Sequence, residues 1–303
     1  MAREFPSDFA REYHEKGEKG FERGKNVSMT VTFSRHEEPG KTPEGMSADF
    51  LTEKGIAAAY EKGKKIPNEY IMAVGSKSVE RARQTGALEL ESATGPEGMA
   101  NAVNVRMTPE LEKMGHKKFA AGEYLIYRHG DLNPVRGLKD MWLEGGIRAK
   151  EAVEGGIIPA NQKENYQYDY YFNNPARARE LGAQTPREVA REMAHRANTC
   201  LKMSGRIYEG MDLDVRNYSH GPRLECLLKY VLRQPDGRLG FDKIEEIGGA
   251  FKPGESFDLD VQRDEKGELK SVPILRGEKE LGTLDLKAIE QLVKEYKERK
   301  KSE

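Results

Sequence analysis

The sequence predicts an α/β fold, a three-layer sandwich whose central sheet is mainly parallel with helices on both faces. Three observations carry that prediction. Val31-Thr32-Phe33 is a β-branched and aromatic stretch running straight into Ser34-Arg35-His36, and such residues suit the interior of a sheet. Tyr70-Ile71-Met72-Ala73-Val74 is an unbroken apolar run, the mark of a strand covered on both faces. Between the two, Leu51-Thr52-Glu53-Lys54-Gly55 opens a helix with Thr52 as its N-cap, so strand, helix and strand follow one another as in a parallel crossover.

Taken in order, residues 1–26 read as a charged leader. Phe5, Phe9 and Tyr13 stand four apart and allow a short helix, while Gly17, Gly20 and Gly24 argue against its continuing. The strand at 27–34 leads into a Gly/Pro-rich loop at 39–45, long enough to overhang a site. The helix after Thr52 turns Ile56, Ala59, Tyr60 and Gly63 inward and ends at Pro67. After the apolar run, Gly75-Ser76-Lys77-Ser78 is a strand-to-helix turn with a serine cap. It places Arg81 in the first helical turn, where a cation opposes the helix dipole and a bound anion would compensate it. Residues 103–107 form a third short strand, and Thr108-Pro109 starts a helix carrying Glu110, Leu111 and Glu112.

From about 116 to 184 the pattern is irregular and rich in Gly, Asn and Tyr, an insertion expected to cover part of the core. It contains a second Arg-His pair, Arg128-His129-Gly130, and a tyrosine cluster at 166–171, expected to serve packing or an interface ahead of stacking on a substrate ring. Thr185-Pro186 opens another helix with Val189, Met193, Ala197 and Leu201 inward, to about residue 209. A strand at 213–219 then delivers Ser219-His220-Gly221-Pro222 to the start of a helix whose buried face is Leu224, Leu227, Leu228, Val231 and Leu232. Strands at 256–262 and 269–275 pair as a hairpin around Asp264-Glu265-Lys266-Gly267. A last amphipathic helix turns Ile289, Leu292, Val293 and Tyr296 inward, and 297–303 is a charged tail.

Composition limits the partners. Lys+Arg 50 against Asp+Glu 51 leaves a net charge of -1, so no global field points to nucleic acid or an anionic membrane. Cys200 and Cys226 are too few for a disulfide framework or a zinc site and suggest a reducing compartment. No apolar run approaches the roughly 20 residues of a membrane span, and the N-terminus lacks the apolar core of a signal peptide. A cytoplasmic protein without metal or cofactor is the expectation.

Three strand ends thus present Arg35-His36, Arg81 and His220. Ligands of open α/β sheets bind at the carboxyl ends of strands. Two guanidinium forks and two imidazoles there make a pocket for a phosphate dianion. A neutral imidazole is a competent nucleophile towards phosphorus, and the other groups would hold charge on the transferring oxygens. Arg81 competes with Arg83 for this place. Glu37 and Glu38 read as loop carboxylates, His14, His116 and His195 as surface residues, and Cys226 as core.

The ordered set Phe33-Ser34-Arg35-His36, Leu51-Thr52-Glu53-Lys54-Gly55, Arg81-Ala82-Arg83-Gln84-Thr85 and Tyr218-Ser219-His220-Gly221 resembles the histidine phosphatase superfamily, also called phosphoglycerate mutase-like. The resemblance covers about 27–115 and 185–235. It implies that His36 becomes a phosphohistidine, that Arg35, Arg81 and His220 clamp the phosphate, and that a glutamate after the third strand is the acid. Glu112, or else Glu110, stands nearest that place. It also selects Arg81 over Arg83, and Arg35-His36 over Arg128-His129-Gly130, which lacks the downstream Arg-Ala-x-Gln-Thr turn. The chain departs from the family in having Glu37 after the histidine, and Pro39 and Thr42 where the mutase branch has Ser and Asn. A phosphomonoesterase acting on a phosphorylated small molecule or a phosphoprotein is therefore expected. A phosphoglycerate mutase-like phosphotransferase and a non-catalytic phospho-ligand module are the alternatives.

Overall fold

The computed structural model describes residues 7–41, 47–66, 71–98, 108–115 and 126–302. The expected third strand at 103–107 lies outside them, as do Phe5, Thr42, Pro67 and His116. An eight-stranded sheet runs in the order β5-β4-β6-β1-β8-β9-β10-β7, where β1 is Val27–Arg35, β4 Ile71–Ser76, β5 Ile126–His129, β6 Asp212–Ser219, β7 Leu232–Arg233, β8 Ser256–Arg263, β9 Pro273–Arg276 and β10 Lys279–Leu284. A two-stranded sheet of β2 (Pro39–Lys41) and β3 (Ser47–Leu51) stands apart from it.

The half that holds the expected site, β5-β4-β6-β1, is parallel throughout, and β8 then joins β1 antiparallel and begins the antiparallel half. β1 and β4 are parallel members of one sheet but not neighbours. β6 lies between them, pairing Arg35↔Ser219 on one side and Gly75↔Tyr218 on the other. β1 is flanked by β6 and β8, and Val31, Thr32, Phe33 and Ser34 are all buried, as its apolar composition requires. The C-terminal hairpin forms where Asp264 Oδ1 accepts from the Lys266 and Glu268 amides. The strand β10 that follows has no counterpart in the sequence reading; its alternation is broken by a register shift at Glu280/Gly282.

Helices cover both faces. On one side α2 (Glu53–Gly63), α3 (Glu80–Gly98) and α4 (Pro109–Lys113) enclose Ile56, Ala59, Leu88, Leu111 and, from the sheet, Ala73 and Tyr218. Thr52 Oγ1 caps α2 by accepting from the Gly55 amide. The α3 cap differs from the expected serine: the Glu80 amide donates to Asp49 Oδ1 of β3. On the other side α8 (Pro186–Ser204), α9 (Arg223–Val231) and α10 (Leu286–Ser302) pack Val189, Met193, Ala197, Leu224, Leu228, Ile289 and Leu292 against Val31, Phe33 and Val215. Thr185 and Glu188 close a reciprocal capping box on α8.

The leader forms a helix, α1 (Ser7–Glu18), that continues through Gly17 and rests Tyr13 on Tyr208, ring centroids 4.6 Å apart. The charged tail is likewise the last turns of α10. The stretch expected to be irregular is largely helical, in α5 (Leu138–Glu154), α6 (Lys163–Asn173) and α7 (Pro175–Glu180). The buried positions of α5 are Met141, Gly145, Ala149 and Ala152, whereas Leu143 and Ile147 are exposed. Small residues carry its inner face, so the helical period is faint in the sequence.

Candidate phosphate site at the carboxyl edge of the sheet

The carboxyl ends of β1, β4 and β6 gather the polar groups expected there. Parallel pairing sets Arg35 beside Ser219, so the residues that follow, His36 and His220, leave the sheet side by side. The His36 amide donates to the Ser219 carbonyl at 3.0 Å. The two imidazole centroids lie 4.9 Å apart, and both residues are buried. Arg81, on the second residue of α3, reaches them from β4: its Nε–H donates to His36 Nε2 at 2.9 Å, and its other arm donates to the Ala48 carbonyl.

These contacts fix the tautomer of His36. Its Nδ1 lies 2.6 Å from the Glu37 carbonyl oxygen, which only accepts, so Nδ1 carries the proton. Arg81 only donates, so Nε2 holds the lone pair. Burial, then the charge of Arg81 and more weakly that of Arg35, lower the His36 pKa to about 3. His220 is pushed well below the usual histidine value, by burial first and then by His36 and the surrounding guanidinium groups. Near pH 7 both rings are neutral.

Arg35 is half-buried. One arm donates to the Phe251 carbonyl at 2.5 Å and stands 3.9 Å from Glu164 of α6. Its Nε and both ring nitrogens of His220 are buried without a hydrogen-bond partner among the described residues. Unpaired buried polar atoms cost about 1–3 kcal/mol each, and here they collect at one place. An anion with several oxygens would accept from Arg35 Nε–H and from the one ring N–H of neutral His220, and would exchange its own contacts for the Arg81–His36 bond.

The structure thus brings Arg35, His36, Arg81 and His220 together. It sets Arg83 elsewhere, bonded to Glu80 and to the Ser76 and Lys77 carbonyls. Glu110 and Glu112 open α4; Glu110 is half-buried and Glu112 exposed, and among the described residues neither bonds to His36, Arg81 or His220. His129 ends β5 beside Ser76, yet it belongs to a second group, where His195 Nδ1 lies 2.7 Å from Asp131 Oδ2 and Tyr296 donates to Asp131 Oδ1. His195 is therefore tied to a carboxylate, unlike the surface residue expected.

Two features had no signal in the sequence. Glu37 is buried, because Gly254 folds over it: a Cβ added there would meet the Glu37 carboxylate oxygens at 2.3–2.5 Å. Burial lifts its pKa to about 7, against the nearby Lys62 ammonium, which lowers it. Lys62 itself donates to Ser34 Oγ and the Gly254 carbonyl and pairs with buried Glu89 at 3.2 Å. The second feature is Tyr168, whose hydroxyl comes from α6 to the side of Gly221. Among the described residues no three His, Cys, Asp or Glu side chains are grouped to hold a metal ion, and no helix is long and apolar enough to cross a membrane.

No family model matches the sequence, and no curated protein matches it. Among solved structures, a phosphoglycerate mutase from Bacillus anthracis is similar over 89% of this chain and 98% of its own, at 12% identity and TM-score 0.46. A phytase from Klebsiella is similar over 89% and 95%, at 13% identity and TM-score 0.42. A mycobacterial glucosyl-3-phosphoglycerate phosphatase is similar over 80% and 97%, at 13% identity and TM-score 0.42. At such identities and scores these likenesses assign no role to any residue here.

Proposed function

We propose that the protein is a phosphomonoesterase that passes the phosphoryl group through His36. The observation that carries this reading is the neutral His36 imidazole, its Nε2 lone pair directed at Arg81 and its ring 4.9 Å from His220. Nε2 attacks phosphorus and the bond to the leaving oxygen breaks, while Arg35, Arg81 and His220 hold the non-bridging oxygens as charge redistributes. The leaving oxygen takes a proton from a carboxylic acid, for which Glu112 and Glu110 of α4 are the candidates named by sequence. Water then gives a proton to the carboxylate formed in the first step and attacks phosphorus, the P–N bond breaks, and inorganic phosphate leaves with His36 neutral and the acid protonated again. These steps need no metal ion.

The test is release of phosphate from an aryl phosphate with a chelator present. The wild type turns over and His36→Ala does not. One observation favours a second reading, a phospho-ligand module without turnover: among the described residues neither α4 carboxylate bonds to His36, Arg81 or His220. Tight phosphate binding with no hydrolysis at any pH from 4 to 8 would establish that reading. Transfer to a second hydroxyl in place of water would establish a mutase.

A further inference from the structure

Four tyrosines near the core show how hydroxyls are satisfied in this fold. Tyr170 donates to Glu144 at 2.6 Å, Tyr171 to the Gln184 carbonyl at 2.7 Å, and Tyr218 to Glu89 at 2.7 Å. Tyr168 is different. Its ring is buried on α6, edge-on to Trp142 at 4.9 Å, yet its hydroxyl has no hydrogen-bond partner among the described residues. Its position is fixed by Gly221, the residue after His220. A Cβ on Gly221 would lie 2.6 Å from Tyr168 Oη and 3.3 Å from the Arg35 guanidinium. The missing side chain lets the phenol and the clamp arginine approach the same point.

Three groups there can donate a hydrogen bond. Arg35 Nε–H is a donor, neutral His220 offers one N–H, and the Tyr168 hydroxyl is a third donor. Burial, then the charge of Glu225, raises the phenol far above its usual pKa, so it keeps its proton at any working pH. Three such donors fit the oxygens of an oxyanion, the second ring nitrogen of His220 being an acceptor that takes no part.

We propose that Tyr168 is a ligand of the phosphoryl group, its hydroxyl donating to a non-bridging oxygen beside Arg35. This rests on the reading of the pocket as a phosphate clamp. It makes the 116–184 segment part of the binding site in addition to a cover. Such a bond acts on the transferring group, so it is blind to what leaves.

Tyr168→Phe removes one oxygen and keeps the ring. Binding of vanadate is read directly by vanadium NMR, and kcat/KM on aryl phosphates of differing leaving-group pKa. The expected result is a thermal midpoint close to that of the wild type, because no internal hydrogen bond is lost. With it come vanadate binding weaker by roughly 10–100-fold, as for a hydrogen bond to a charged group, and kcat/KM lower by a similar factor for every leaving group. Tyr171→Phe, the control, lowers the midpoint and leaves vanadate binding intact. Vanadate binding within twofold of wild type in Tyr168→Phe, while Arg81→Ala loses it, overturns the proposal whatever the midpoint does. If Arg81→Ala also binds vanadate normally, the phosphate clamp itself is wrong.

Discussion

Replacing His36 by glutamine removes an imidazole that the fold holds neutral, and the effect is worked from its surroundings. The folded pKa of about 3 lies below the value near 6.5 that the unfolded chain offers. Between those limits unfolding takes up a proton, so each unit of acidification costs the wild-type fold about 1.4 kcal/mol through this group. From pH 6.5 to 5 the sum is roughly 2 kcal/mol. A single stability profile will not reveal it. Glu37 and Glu225 are both raised to about 7 by burial, above their unfolded values. Their sign is opposite: they favour the fold below about pH 4.5 and lose that contribution as pH rises through 7. Between pH 7 and 5 they oppose the imidazoles, as does Asp214, raised to about 6 by burial. The difference between wild type and His36→Gln isolates the ring. Urea unfolding followed by the fluorescence of Trp142, the one tryptophan, should show the variant gaining about 2 kcal/mol on wild type between pH 6.5 and 5. A difference constant to within about 0.5 kcal/mol over that range would mean that His36 titrates like a solvated imidazole, and the account of a dry, cationic pocket would fall.

Other outcomes follow from the same contacts. Arg83→Ala removes the guanidinium that pairs with the buried Glu80 carboxylate and should lower stability by about 3–5 kcal/mol in urea titrations, while vanadate affinity is kept; Arg81→Ala should do the reverse. Lys62→Met removes the cation joining Ser34, Gly254 and Glu89, and a loss of about 3 kcal/mol is expected by the same assay. Glu37→Gln should remove the share of stability that Glu37 supplies below pH 4.5 and loses as pH rises through 7, up to about 3 kcal/mol, read as the change in the difference between the two unfolding curves from pH 4.5 to 8. Of Glu110→Gln and Glu112→Gln, the variant that removes the proton donor should lose about 10²–10⁴ in kcat/KM, with the deficit growing as the leaving group becomes more basic.

What the sequence made legible was local in origin. β1, β4, α2, α8 and α9 are marked by apolar runs, by Thr52 and Thr185 as caps, and by Pro186 at a helix start, all signals within a few residues. The meeting of His36, Arg81 and His220 was legible because each stands just past a strand end of a parallel sheet, where chain direction alone sets them at one edge. The hidden parts depend on residues far along the chain. Glu37 is buried by Gly254, and Tyr168 reaches the site from a helix whose period is obscured by tyrosines and polar residues. α5 hides its inner face behind Gly145, Ala149 and Ala152. His195 is likewise held by Asp131 of another segment.

The order of the strands bears on how the chain is born. β1 leaves the ribosome long before either of its hydrogen-bonding neighbours, Asp212–Ser219 and Ser256–Arg263, which lie much further along the chain. At ordinary elongation rates of about 5–20 residues per second, that strand waits on the order of 10–40 s with neither edge satisfied. An apolar ribbon exposed for so long invites pairing with other nascent chains. Production of the active protein should therefore depend steeply on chaperone supply and growth temperature, even though the finished molecule seals the same ribbon in its centre.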